Sequence, residues 1–420
     1  MNLTLPAHSL LPNWLLILTV VLAFSACQDQ VESTYTYETT YPVSIKTSTF
    51  RAMNVGQTEP RTINKTGKIY IFGNYLFISE PNEGIHVIDN TDPSAPRNLL
   101  FLEIPGTADL AINDNILYAD SYIDLLSFDI SNPFNIKLID REEDVFRNHY
   151  SAIETGEFTI WKDTVLTSEK PFRPWNGPFF FEADVLSFAN NSDGGNYGQG
   201  GSMARFTLAN GHLYAVDEQD LRLFDISEKE NPEFVKQIQL GWGIETIYPF
   251  KDKLFIGSTT GMHIYDISAP ASPEQLSVYA HITSCDPVVA NDDYAFVTLR
   301  SGNFCQQGVN LLEVLDISNP SQPNLLKSYP MQNPHGLGLS GENLFVCEGQ
   351  FGLKSFKVND VMKIDENQME HLKNLNAIDL IPGPKSLIVI GNNVICQYDY
   401  STPSKLVKLS CMEIEKQELY

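Results

Sequence analysis

Acidic, basic and imidazole side chains recur at two adjacent aligned positions, where an apolar stretch begins in successive sequence repeats. The members of this set are Asp109, Arg205, Glu245, Asp286, His335 and Asp379. Carboxylate oxygens that converge on one point are the ligands that Ca²⁺ prefers, and a bound divalent cation polarises an ester or lactone carbonyl. His335 would then serve as the base. The alternative is that these groups bind a polar ligand or are simply solvated, and both interpretations stay open.

A second set of aspartates stands at the ends of apolar stretches, each two residues before a Ser or Thr. Its clear members are Asp89, Asp129, Asp225, Asp266, Asp316 and Asp399. An active site needs one constellation of groups and not a copy in every repeat. An Asp at a strand end accepts hydrogen bonds from the backbone N–H groups of the following turn. We therefore expect these aspartates to be structural.

The elements that must position both sets are short strands arranged in repeats. Successive turn aspartates are 40, 96, 41, 50 and 83 residues apart, so that the gap of 96 holds one unit plus an insertion and the gap of 83 holds two units. Within each unit, alternating apolar residues are punctuated by Asn, Asp, Gly and Pro, which is typical of antiparallel strands. Four strands per unit at this period predict an all-β fold, a seven-bladed β-propeller with four-stranded antiparallel blades.

The recurring phrase is seen in Ile85 to Pro93, Leu125 to Pro133 and Leu311 to Pro320. It resembles the LVIVD repeat, a propeller unit of secreted bacterial proteins, and the resemblance covers roughly Lys68 to the C-terminus. The chain is thereby similar to lipoproteins of the Bacteroidota. The resemblance implies the propeller fold, an extracytoplasmic compartment and a binding role, but it implies no substrate.

The first residues are predicted to be a targeting segment. An apolar run from Trp14 to Phe24 ends in Ser25-Ala26-Cys27, which resembles the cleavage site of a lipoprotein signal peptide. We expect a signal peptide at residues 1–26, a lipid on Cys27, a polar tether at 27–40 and the propeller at 41–420. An uncleaved membrane helix is the alternative. The expected location is the cell envelope, as an outer membrane lipoprotein that is periplasmic or surface-exposed.

The charge balance restricts the partners. With 28 Lys plus Arg against 52 Asp plus Glu, the formal net charge is −24. Phosphate recognition depends on clustered Lys and Arg, so we expect no nucleic acid partner. Cations, sugars and basic proteins fit such a surface better, although an acidic balance also serves solubility alone.

One face of the predicted propeller collects the unusual residues. It carries acidic loops between second and third strands, with Glu80, Asp120, Asp124, Asp217 and Glu348 among them, and an insertion at about 141–202 between blades 2 and 3. We take the aromatic residues of this insertion as candidates for capping the channel or stacking on a sugar or peptide, and a minor core is the alternative. They are Phe172, Trp175, Phe179, Phe180 and Phe181.

Five cysteines follow Cys27, an odd number. Cys285 and Cys305 both fall on the candidate face, and we predict that they form a disulfide. Cys396 and Cys411 lie on neighbouring predicted strands, where a bond and two buried thiols are equally expected. The pairing of Cys347 stays open.

Two functions remain at this point. The first is a membrane-anchored binding or scaffold module of the cell envelope, whose partner is the membrane through the lipid and an envelope protein or glycan. The alternative is a divalent-metal-dependent hydrolase of the lactonase or esterase type at the channel mouth, with Ca²⁺ as the candidate cofactor. No standard catalytic signature is present in the sequence, which favours the first.

Overall fold

The computed structural model describes residues 35–146, 156–168, 204–280, 287–300 and 309–415. The described chain opens with strand β1 (Tyr35–Lys46), a short helix (Thr47–Arg51) and strand β2 (Gly56–Thr58). Within the described residues, no helix is long and apolar enough to cross a membrane.

Seven antiparallel sheets follow, one for each blade, and their strands run in sequence order from the innermost to the outermost. Blade 1 is β3 (Ile69–Phe72), β4 (Tyr75–Glu80), β5 (Gly84–Asp89) and β6 (Arg97–Glu103), and blade 2 is β7 (Leu110–Asn113), β8 (Ile116–Ser121), β9 (Asp124–Asp129) and β10 (Lys137–Glu142). Strand β11 (Glu157–Ser168) follows blade 2 in the sequence. Blade 3 is β12 (Phe206–Ala209), β13 (His212–Val216), β14 (Asp220–Asp225) and β15 (Glu233–Gln239), and blade 4 is β16 (Ile244–Phe250), β17 (Lys253–Ser258), β18 (Gly261–Asp266) and β19 (Glu274–Ala280). Blade 5 consists of β20 (Val288–Ala290), β21 (Tyr294–Leu299), β22 (Leu311–Asp316) and β23 (Asn324–Pro330). Blade 6 consists of β24 (Leu337–Ser340), β25 (Asn343–Cys347), β26 (Leu353–Lys357) and β27 (Gln368–Leu372). Blade 7 consists of β28 (Ala377–Pro382), β29 (Leu387–Gly391), β30 (Val394–Asp399) and β31 (Val407–Glu413). A 3-10 helix (Val361–Lys363) interrupts blade 6. The predicted seven-bladed fold is confirmed.

Burial explains why the inner strands are almost continuously apolar. All of β29 is buried, whereas the outer strand β31 of the same blade is mostly exposed. The middle strands of a blade pack between two neighbouring blades, so both of their faces are apolar. In blade 7 the register of the two outer strands shifts between Gln397 and Tyr398, and every other blade has an equivalent shift. Such bulges increase local twist, as blades radiating from an axis require.

The turn aspartates are structural, as expected. The Oδ1 atom of Asp129 accepts a hydrogen bond from the backbone N–H of Ser131 at 2.8 Å, and five further turns repeat this contact. In blade 1, hydrogen bonds from Thr91 and Arg97 lower the pKa of Asp89 to about 2. These carboxylates therefore end strands and take no part in a shared site.

The ring closes without a strand shared between its two ends, because blade 7 consists entirely of C-terminal strands. At this seam between blades 7 and 1, the buried amides of Asn90 and Gln397 exchange two hydrogen bonds of 3.0 and 2.7 Å. The backbone N–H of Glu415 also donates to the carbonyl oxygen of Ile63. Isoleucines of both blades, among them Ile71 and Ile381, form the core beneath these contacts.

The N-terminal segment differs from the expected tether. Residues 35–40 belong to β1, which pairs with β11 of the insertion. Residues 35–43 and 161–168 fall in a compact unit separate from the propeller. The edge of blade 1 is covered by β2, which pairs with β6. Strand β1 ends at Lys46, and the short helix follows it directly.

Candidate binding site at the channel mouth

The residues aligned in the sequence meet around one end of the ring. The Ser79 hydroxyl of blade 1 accepts a hydrogen bond from the Lys68 N–H and donates to the carbonyl oxygen of Ala108 in blade 2. Between blades 5 and 6 the Thr298 hydroxyl donates to the carbonyl oxygen of His335 at 2.6 Å. The backbone N–H of Gly336 in blade 6 donates a hydrogen bond of 2.9 Å to the carbonyl oxygen of Ile378 in blade 7. The channel mouth is therefore a hydrogen-bonded belt that links blade to blade.

Asp109 connects blade 2 to blade 3 in this set of hydrogen bonds. Its Oδ2 atom accepts hydrogen bonds from the backbone N–H groups of Arg205 at 2.6 Å and Phe206 at 3.1 Å in blade 3. Its Oδ1 atom accepts a bond from the N–H of Leu110 in its own blade. Burial raises the pKa of Asp109, while these hydrogen bonds and Lys68 oppose that rise. Both oxygens thus bind the protein's own backbone.

Asp379 holds the equivalent position in blade 7 with fewer contacts. Its Oδ1 atom accepts a hydrogen bond from the N–H of Leu380, but its fully buried Oδ2 atom has no hydrogen-bond partner among the described residues. Burial raises the pKa of Asp379 well above its usual value. The carboxyl group lies against Gly336, where an added Cβ atom would come within 1.8 Å of Oδ1.

Lys68 is the buried cation of the mouth, and the sequence analysis did not select it as a site residue. It is 6% exposed. Burial lowers its pKa to about 8, while Asp109 and Asp379 act in the opposite direction and favour the ammonium form. Its alignment with Asp109 and Asp379 was the signal that could have identified it.

Asp120 supports the mouth from the second strand of blade 2. Its Oδ1 atom accepts hydrogen bonds from the N–H groups of Ala108 at 2.7 Å and Asp109 at 2.9 Å. Burial nevertheless raises its pKa to about 6. Asp120 therefore fixes the backbone that carries Asp109.

The other predicted members of the ring have varied surroundings. His335 is buried, and its Nε2 atom lies 3.1 Å from the Asn333 side-chain amide. Glu245 is half-buried at the start of β16. Asp286 lies outside the described residues. In the part of the chain that the structure describes, no group of three or more His, Cys, Asp or Glu side chains is arranged to hold a metal ion.

The acidic loops around the mouth are largely paired within the protein. Glu80 contacts His86 at 2.7 Å, and Glu348 pairs with Lys354. Asp217 pairs with the buried Arg222 of its own blade. These carboxylates bind neighbouring basic side chains, so the acidic rim predicted from sequence is in large part structural.

Asp124 pairs with two arginines, one of which is distant in the sequence. It forms hydrogen bonds of 2.8 to 2.9 Å with Arg51 of the N-terminal helix and Arg141 of β10. Burial acts to raise the pKa of Asp124, but these hydrogen bonds outweigh it and lower the pKa. The N-terminal helix is thereby fastened to blade 2.

An exposed tryptophan on the mouth side was missed by the sequence analysis. Trp242 is 73% exposed, the largest value among the described large apolar residues. It stands between Gly241 (φ 112°) and Gly243 (φ 79°), conformations that favour glycine, in the connection from blade 3 to blade 4. The N–H of Ile244 donates to Glu218, and the carbonyl oxygen of Gly243 accepts from Thr259, so hydrogen bonds hold the backbone around the indole.

The predicted insertion site Phe172, Trp175, Phe179, Phe180 and Phe181 lies outside the described residues, as do Cys27, Cys285 and Cys305. Cys396 and Cys411, which the sequence left open, form a disulfide between β30 and β31 with their Cα atoms 4.0 Å apart. Cys347 is a buried free thiol. Burial raises its pKa well above the usual value.

The fold and this mouth define a seven-bladed propeller whose central carboxylates bind its own backbone. The model of the LVIVD repeat matches residues 64–100 and 285–330 of this propeller. No curated protein matches its sequence.

Solved structures share the architecture at low identity. The periplasmic gluconolactonase PpgL of Pseudomonas aeruginosa is 11% identical, with a TM-score of 0.51 over 84% of this chain and 96% of that one. A functionally unknown protein of Desulfotomaculum acetoxidans is 12% identical, with a TM-score of 0.50 over 82% of this chain and 100% of that one. The computationally designed Ika8 protein is 10% identical, with a TM-score of 0.50 over 87% and 94%. At these identities the likeness shows the fold alone.

Proposed function

We propose that this protein is a secreted lipoprotein of the outer membrane, anchored through Cys27, whose propeller acts as a binding or scaffold module in the cell envelope. The observation that carries the proposal is the hydrogen bonding of Asp109. Its two carboxylate oxygens accept three hydrogen bonds from backbone N–H groups. A carboxylate used in this way is not available as a metal ligand or a base. The mouth is built to hold blades together, which favours binding on the surrounding loops over catalysis in the channel.

The exposed surface on the mouth side supports a binding role. Trp242 presents a large indole to solvent in the connection from blade 3 to blade 4. Exposed Trp side chains are enriched in binding surfaces because they supply large contact area at low cost in conformational entropy. We propose an envelope protein or glycan as the partner and do not expect nucleic acid, since the net charge is −24.

The disulfide between Cys396 and Cys411 supports the compartment. Disulfides persist in the periplasm and at the cell surface and are rare in the cytosol. The hydrolase alternative has less support. Both carboxylate oxygens of its proposed ligand Asp109 already accept backbone hydrogen bonds.

Lipid labelling tests the anchor. Cells that express the full chain are grown with a palmitate analogue, and the labelled protein is followed in the membrane fraction. The proposal predicts that the wild-type chain carries the label and sediments with the outer membrane, whereas Cys27→Ala is unlabelled. An unlabelled wild-type chain would refute the anchor. Photo-crosslinking from position 242 tests the binding surface separately.

A further inference from the structure

The segment that leads into blade 1 contacts three blades before the first strand of that blade begins. It comprises residues 47–66, which include the short helix and β2, and we call it the N-terminal strap. Its contacts lie in blade 2, along the outer strand of blade 1, and at the end of blade 7. Because blades 1 and 7 share no strand, the N-terminal strap lies where the ring needs a closing element.

The first part of the strap is fixed to blade 2. Phe50 is 1% exposed, and its ring centroid lies 5.6 Å from that of Tyr122. The neighbouring Arg51 donates from Nε and Nη2 to the two oxygens of Asp124, at 2.9 and 2.8 Å. Such bidentate pairs between arginine and a carboxylate are strong and directional. Arg141 donates to the same carboxylate, so that Asp124 keeps a basic partner when Arg51 is removed.

The middle of the strap joins blades 1 and 2 through one residue. The backbone of Gln57 pairs with Leu102 in the outer strand of blade 1. Its side-chain Nε2 donates to the carbonyl oxygen of Phe134 at 3.1 Å, and its Oε1 accepts a hydrogen bond of 3.0 Å from the N–H of Ile136. Both partners of the side chain lie in the turn that precedes β10, so Gln57 connects the two blades.

The last part of the strap lies at the seam between blades 1 and 7. The guanidinium carbon of Arg61 lies 3.6 Å from the ring centroid of Phe101, and the Asn98 side chain donates to the carbonyl oxygen of Arg61 at 2.7 Å. Ile63 is 5% exposed in a core formed by isoleucines of both blades. Its carbonyl oxygen accepts a hydrogen bond of 2.9 Å from the N–H of Glu415, just beyond the last strand of blade 7.

We propose that the N-terminal strap is a single cooperative element that holds blade 1 to blades 2 and 7 and closes the ring, with Arg51 as its fastening point. Its strand β2 is only three residues long, so the segment depends on the contacts at both of its ends. Proteins open locally in contiguous cooperative units, and a segment held in this way detaches as one unit. Detachment at Arg51 therefore also loosens the seam at Ile63. The proposal does not depend on the lipid anchor, because every contact that supports it lies within the propeller.

Hydrogen exchange of the full chain tests the proposal, because a backbone amide reports on each end of the strap. The N–H of Ile136 is bound to Gln57, and the N–H of Glu415 is bound to Ile63. In Arg51→Ala we expect both amides to exchange roughly fivefold faster or more, although Arg51 binds blade 2 and Glu415 follows blade 7. Ile63→Ala should in turn accelerate the exchange of the Ile136 amide.

Two controls separate the strap from general destabilisation. Arg97→Ala removes the exposed ion pair with Asp89 in blade 1 and should change neither amide. The N–H of Ile267, which is bound to Asp252 within blade 4, serves as the reference and should keep its wild-type rate in every variant.

Two results would overturn the proposal. One is an Arg51→Ala variant in which the Ile136 amide exchanges faster while the Glu415 amide keeps its wild-type rate, because the two ends of the strap would then be independent. The other is an equal acceleration of the Ile267 amide, because the strap would then open only together with the whole propeller. Arg51→Lys, which keeps the charge and loses the bidentate geometry, should lie between Arg51→Ala and the wild type at both amides.

Discussion

Asp109 and Asp379 occupy equivalent positions in blades 2 and 7, yet only Asp109 receives hydrogen bonds from the next blade. The two N–H groups that bind its Oδ2 atom belong to Arg205 and Phe206. The Oδ2 atom of Asp379 has no hydrogen-bond donor among the described residues. One aspartate is thus a blade-to-blade link, whereas the other is a buried acid.

The first prediction contrasts these two residues by substitution. Asp109→Asn replaces an accepting oxygen with an N–H₂ group that faces backbone donors, and we expect a loss of about 1.5–3 kcal/mol in the free energy of unfolding at pH 7. Asp379→Asn should cost far less, because a neutral amide resembles a neutral acid. Urea unfolding of both variants measures the difference. Equal losses would contradict the assignment of different roles.

The second prediction concerns the pH dependence of Asp379. Its pKa is raised in the folded state, so above the ordinary value near 3.8 the folded state binds a proton that the unfolded state has lost. The contribution of this group to stability therefore decreases as the pH rises. We expect the unfolding free energy of Asp379→Asn, relative to that of the wild type, to increase as the pH is raised from 4.5 to 8. A constant difference across this range would mean that Asp379 is ionised in the folded protein.

Asp89 provides the opposite pH dependence in a third prediction. Hydrogen bonds from Thr91 and Arg97 lower its folded pKa to about 2, so its stabilising contribution is present above about pH 4 and is lost as the pH falls towards 2. Asp89→Ala should be less stable than the wild type at pH 6, and the difference in unfolding free energy should be clearly smaller at pH 2.5. Urea unfolding at the two pH values measures this difference. A difference of the same size at both pH values would point to packing instead of charge.

The seam gives a fourth prediction through Asn90 and Gln397. Each amide is buried and satisfies the other, so truncating either one leaves the partner with unmet hydrogen bonds. Gln397→Ala and Asn90→Ala should each cost roughly 1–3 kcal/mol. The double variant should cost clearly less than the sum of the two, as expected for directly coupled residues. Additive losses would show that the pair does not couple the blades.

Much of the fold could be predicted from the sequence, because short local patterns mark its strands and turns. The turn aspartates that precede Ser and Pro recur once per blade and locate strand ends, and aligning the units on their second strands brought Asp109 and Asp379 to the same mouth. The blade count and the structural role of the turn aspartates were therefore predicted correctly.

What the sequence did not reveal are contacts between distant residues. The sequence shows acidic side chains in the loops of one face but not their partners. Asp124, for example, binds Arg51, which is 73 residues away in the chain. The alignment contained Lys68, although its burial depends on the packing of several blades. Residues 35–40 were assigned to the tether, although they belong to strand β1, because the pairing of this strand with the distant β11 has no local signature.

Photo-crosslinking in intact cells tests the central claim most directly, namely that the mouth side of the propeller binds an envelope component. A photoreactive residue is placed at Trp242, and in a matched control at Phe134, which is 63% exposed in a turn at the opposite end of the blades. The account predicts a discrete adduct with an envelope protein or glycan from position 242 and none from position 134. Adducts of equal yield from both positions, or from position 134 alone, would contradict it.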